Sequence, residues 1–161
     1  MSDDRSISLS NKLEFSISDR SFDELKLIIT NDQFSMSNKC PMTNQRKYDI
    51  KERSLAFAVR TAKLIDSFPR KITLLEYSKQ LARACASIGA NLEEADGALS
   101  KKDFLNKIGI ARKEAKETRY WLQLIKQIST NNPADLDPLI KESEEIKLIL
   151  SSIINNTKAN S

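Results

Sequence analysis

Few residues in this sequence are suited by type to chemistry. Glu93 and Glu94 form an adjacent carboxylate pair, and Cys40 and Cys85 are the two thiols. Acid–base work needs carboxylates that converge on one substrate, whereas adjacent positions of a helix point about 100° apart. The sequence has no histidine. That excludes Ser-His and Cys-His nucleophiles and removes the commonest general base and metal ligand. The two cysteines lack metal-ligand spacing, and a zinc site built on carboxylates would be unusual. No catalytic residue, metal or cofactor is therefore expected, and the chain is not expected to be an enzyme. What remains is a run of cations whose chemistry is phosphate binding: Lys101, Lys102, Arg112, Lys113, Lys116, Arg119 and Lys126.

Those cations need an element to hold them. The chain has 161 residues, 40% hydrophobic and 30% charged, which is a globular composition. Only three Gly and four Pro favour long helices over turn-rich β structure. No apolar run approaches the roughly 18 residues of a membrane span. Asp3 and Asp4 precede no apolar stretch of the signal-peptide kind, so a cytoplasmic protein is expected. Residues 1–46 carry six basic against seven acidic residues, 47–129 seventeen against ten, and 130–161 three against five. The net charge of +4 thus belongs to the middle of the chain.

The periodicity predicts an all-α protein, an antiparallel up-down-up-down four-helix bundle with an N-terminal extension. Residues 1–46 are the extension, 47–157 the bundle and 158–161 a tail. Within the extension, Ile7, Leu9, Leu13, Phe15 and Ile17 give a weak hairpin pattern. Phe22 to Ile29 fits a short amphipathic helix, and Cys40-Pro41 to Arg46 reads as a linker. The alternative for the whole extension is a chain without fixed structure.

A first helix is predicted from Ile50 to Ser67, before Pro69, with Leu55, Ala58, Ala62 and Ile65 as its core. A second, after Thr73, buries Tyr77, Leu81, Ala84, Ile88, Asn91 and Ala95, and ends at Gly97 in a left-handed turn. Asn91 on that seam is expected to bond to another helix, and Cys85 to be a small core residue. Ser100 caps the third helix, whose seam is Phe104, Ile108, Ala111, Ala115, Thr118, Leu122 and Ile125. A fourth runs from Leu136 or Pro138 to Asn155 on Leu139, Ile146, Ile149, Leu150 and Ile153.

The third helix has more to place than its seam. Winding it at 100° per residue puts Lys101, Arg112, Lys116, Arg119 and Lys126 on one face, with Lys102, Lys113 and Tyr120 beside them. A second line, Ile110, Glu114, Glu117, Trp121, Leu124 and Ile128, follows the opposite edge and is expected to be an oligomer interface. The plainer alternatives are a solvated basic face and a Trp121 packed at the edge of its own core. Gly89 lies inside the second helix among Ala82, Ala84, Cys85, Ala86, Ser87 and Ala90, a run that suits close helix approach. Arg83, Glu93, Glu94 and Asp96 are placed to pair with the third helix.

Three strings carry a resemblance: YDIKERSLAFA at Tyr48–Ala58, QLARACASIGANLEEADGALSKKDF at Gln80–Phe104, and KIGIARKEAKETRYWLQLI at Lys107–Ile125. They resemble the 23S rRNA-intervening-sequence proteins, a family of small four-helix bundles. It includes the accessory protein of diversity-generating retroelements, a basic pentameric barrel that associates with a reverse transcriptase and nucleic acid. The resemblance implies a homo-oligomer, a pentamer, with no known catalytic activity. Arg83, Ser87, Asn91, Glu94, Ser100, Phe104, Glu114 and Glu117 match like residues of the family pattern, which implies structural or interface roles for them. The expected function is non-catalytic binding of RNA or DNA through the basic face of the third helix. The rival expectation is a protein-interaction scaffold, or an accessory subunit of an enzyme such as a reverse transcriptase, without direct nucleic-acid binding.

Overall fold

The structure, a computed structural model, describes residues 50–129 and 135–159. The hairpin, short helix and linker expected before Ile50 lie outside the described residues. Four helices follow in order: α1 Ile50–Asp66, α2 Ile72–Asp96, α3 Lys101–Ile128 and α4 Leu136–Ala159. They form an all-α bundle in which α3 packs between α2 and α4, and α1 closes against α2 and α4. Helix α4 runs on to Ala159, into the residues expected to form the tail.

Local chemistry sets the ends. The amides of Ser67 and Phe68 bond back to Leu64 and Ile65 at 3.1 Å, tightening the last turn of α1 just before Pro69. Ser100 Oγ accepts from the amide of Asp103 at 3.1 Å, the N-cap bond expected of it. Gly97 does not use its left-handed freedom. Its φ of −79° and ψ of −1° are right-handed, and its amide bonds back to Glu93 and Ala95. The predicted left-handed turn at Gly97 is therefore absent.

The seam of α3 is as its spacing predicts, with all seven positions buried. Helix α2 buries Leu81, Ala84, Ile88, Asn91 and Ala95 as expected and half-buries Tyr77, while Leu74, Ser78, Cys85 and Leu92 widen the stripe. In α4, Leu139, Ile146, Leu150 and Ile153 are buried and Ile149 half-buried, with Leu136, Ser143, Ile154 and Thr157 added.

Helix α1 departs from expectation. Its buried face is Ile50, Ser54, Phe57, Thr61 and Leu64, and the expected core residue Leu55 is 65% exposed. Ala62 is also exposed, with Ala58 and Ile65 half-buried. Two buried hydroxyls make this rotation possible. Ser54 Oγ donates to the carbonyl of Lys51 at 2.8 Å, and Thr61 Oγ1 to that of Phe57 at 2.9 Å. Each polar group is satisfied by its own helix, so burying it costs little. Asn91 behaves likewise: its amide donates to Ser87 O at 2.8 Å and Ser87 Oγ at 3.2 Å, inside α2 rather than across to a neighbour.

Ion pairs fasten the helices at their margins. Lys51 of α1 reaches Glu93 and Asp96 of α2, each at 2.9 Å. Arg53 reaches Glu142 and Glu145 of α4, each at 2.5 Å. Among the described residues, no helix is long and apolar enough to cross a membrane.

Candidate functional site

The seven cations assigned to α3 divide into groups that its own sequence does not reveal. Arg119 Nη1 lies 3.3 Å from Glu144 and Lys126 Nζ 2.6 Å from Asp137, so α4 neutralises both. Lys101 is half-buried at the start of the helix. Lys102, Lys113 and Lys116 are exposed and Arg112 is half-buried. None of these four is within ion-pairing distance of a carboxylate among the described residues. The acids that pair with Arg119 and Lys126 come from α4, which no spacing within α3 announces.

Gly109 sits among the four. Counting by helical turns, Lys102, Arg112, Lys113 and Lys116 lie seven, three, four and seven residues from it, all on its side of the helix. A β-carbon added there would have nothing within 4 Å. No packing inside the bundle therefore calls for a glycine. Its cost of about 0.5–1 kcal/mol relative to alanine goes uncompensated within the fold. The surface so formed is a cationic shelf with bare backbone in the middle, a shape that lets a phosphate chain come close to the helix.

The second line on α3 lies on the side facing α2. Trp121 is half-buried against two rings. Tyr77 of α2 lies with its centroid 5.7 Å away at 33°, and Tyr120 at 5.1 Å and 70°. The indole N–H donates to Glu117 Oε1 at 3.2 Å. Ile110 and Leu124 are half-buried, and Ile128 is 41% exposed. Glu114 and Glu117 are half-buried between them. Burial, helped by the neighbouring Glu117 charge, holds the Glu114 carboxyl above the usual carboxylate range, while Lys113 and Arg83 oppose that rise. Part of this edge is thus already covered by Tyr77, which sequence reasoning assigned to the α2 seam alone.

Glu93 and Glu94 are held apart. Glu93 pairs with Lys51 of α1 and Glu94 with Lys107 of α3, so the two carboxylates serve different helices and share no site. Of the four residues expected to pair with α3, only Glu94 forms an ion pair with it. Cys85 is buried, and burial pushes its thiol up to about 11, against a lowering contact from Thr61. Such a thiol is no nucleophile at neutral pH.

The sequence pattern of the 23S rRNA-intervening sequence proteins matches residues 46–152. A crystal structure of a protein of unknown function from the S23 ribosomal protein family of Bacteroides thetaiotaomicron is similar, with 40% identity and a TM-score of 0.61. The likeness covers 66% of this chain and 95% of that one. No curated protein shows a significant match. With the family pattern spread over all four helices of the bundle, the chain belongs to the 23S rRNA-intervening sequence protein family.

Proposed function

We propose that this chain is a cytoplasmic, non-catalytic homo-oligomer that binds RNA or DNA through the outer face of α3. The observation that carries the reading is the cluster of Lys102, Arg112, Lys113 and Lys116, which has no ion-pair partner among the described residues and surrounds the open backbone of Gly109. Lysine and arginine bind phosphate by releasing counterions, which needs no base-specific chemistry. Four contacts per copy predict a log–log salt slope of roughly −3 to −4, a loss of about a hundredfold in affinity between 50 and 200 mM salt. One copy holding four phosphates binds weakly, and several copies on one strand bind far more tightly by multivalency. The exposed Ile128 and the half-buried Ile110 and Leu124 supply an edge on which copies can meet.

The test is a binding titration across a salt series with the double substitution Arg112→Glu and Lys116→Glu. Neither residue pairs inside the bundle, so helicity should be unchanged while affinity and salt slope both fall. Binding that ignores the double substitution would refute the assignment to this face. Wild-type protein that binds no nucleic acid but co-purifies with one protein partner would favour the scaffold reading instead.

A further inference from the structure

The apolar stripe of α1 that its own core leaves out lies beside the smallest side chains of α2. Leu55 and Val59 are 65% and 46% exposed. Leu55 and Ala58 line a groove of about 430 Å³ whose other wall is Ala86, Gly89 and Ala90, with Lys51, Glu52 and Glu93 at one end. A β-carbon on Gly89 would meet a single atom, Ser54 Oγ at 3.4 Å. The glycine and the two alanines therefore keep the groove low enough for another backbone to approach closely.

We propose that this groove is the docking site for residues 22–29 of the same chain, Phe22-Asp-Glu-Leu-Lys-Leu-Ile-Ile29. Three arguments single out this occupant. The chain leading to α1 enters the fold at the groove, because Lys51 and Glu52 of its first turn are lining residues. Twenty residues separate Ile29 from Ile50. A random coil of twenty residues averages roughly 25 Å end to end, comfortably more than the roughly 10 Å of groove wall from Lys51 to Ala58. Tethering at that reach gives an effective concentration on the order of millimolar, which a separate partner at micromolar concentration does not match.

The segment also fits chemically. Phe22, Leu25, Ile28 and Ile29 recur at helical spacing, while Asp23, Glu24 and Lys26 fall between them. A groove of this volume suits one short segment. A stable dimer needs a face of about 800 Å² per partner. Docking would cover Leu55, the most exposed large apolar residue of α1. This inference is independent of the nucleic-acid reading, since the groove lies on α1 and α2 and the cations on α3.

Amide hydrogen exchange on the full-length protein tests it. Residues 22–29 should exchange at least roughly tenfold more slowly than an unstructured chain, by the same factor at low and high protein concentration. Ala86→Glu with Ala90→Glu, both at exposed positions, should abolish that protection while the helices keep theirs. Leu25→Asp with Ile28→Asp alters no residue of the four helices and should shift the methyl resonances of Leu55. Absent protection, protection that survives the groove substitutions, or methyl resonances that stay put would each overturn the proposal. Protection lost on dilution would overturn it in favour of a second copy in the groove.

Discussion

Tyr77 near the start of α2 and Trp121 near the end of α3 stack with centroids 5.7 Å apart. Residues far apart in sequence meet there because the two helices run antiparallel from a joint of four residues, Gly97 to Ser100. The contact ties part of the extra apolar line on α3 to its own bundle, and leaves Ile128 as its most exposed member.

Truncating either ring should therefore weaken the monomer itself. Trp121→Ala is expected to cost about 2 kcal/mol, less than the 3–5 kcal/mol typical of a fully buried tryptophan, because one side is open. A double-mutant cycle with Tyr77→Ala should give a coupling of about 0.5–1.5 kcal/mol in denaturant unfolding. Coupling near zero would mean that the rings touch without holding the helices together.

Gly97 in the α2–α3 joint and Gly109 inside α3 both tolerate a side chain. Gly97 has right-handed dihedrals, and an added β-carbon would meet only backbone oxygens at 3.7 and 3.9 Å. Gly97→Ala should be neutral or stabilise by up to about 1 kcal/mol in thermal unfolding. Gly109→Ala, with open space around it, should stabilise by about 0.5–1 kcal/mol and yet weaken phosphate binding if the bare backbone serves a ligand. A large loss of stability at either position would contradict these geometries.

The buried thiol makes stability depend on alkaline pH. Burial raises the Cys85 pKa from 9.0 to about 11 in the folded state. A raised acid binds its proton more tightly when folded, so its contribution is complete below pH 9 and is lost as pH climbs to about 11. Two pH units correspond to about 2–3 kcal/mol. Unfolding free energy should fall across that window in the wild type and less steeply in Cys85→Ser. Equal slopes would show that the thiol ionises as readily in the fold as outside it.

How far the sequence revealed this fold differs from helix to helix. The α3 seam was legible because six of its seven members are apolar and spaced at fours and threes, and Thr118 returns its hydroxyl to Glu114 O at 2.8 Å. In helix α1 the apolar spacing points one face away from the true core. Its buried line includes Ser54 and Thr61, which look like surface residues until their backbone bonds are seen, while the exposed Leu55 and Ala62 look like core. Asn91 lies on the buried seam as its spacing implies, but its bond to the preceding turn leaves no trace in the sequence. Of the basic face, four members stand clear, whereas the quenching of Arg119 and Lys126 depends on acids of α4 brought in by the fold.

The central claim is that the clear part of that face holds phosphate. Its most direct test is the salt dependence of binding to a single-stranded oligonucleotide, wild type beside Arg112→Glu/Lys116→Glu. The account predicts a slope of roughly −3 per copy for the wild type, made shallower by about 1.4 in the variant. Parallel lines for the two proteins, or a wild-type affinity indifferent to salt, would contradict it.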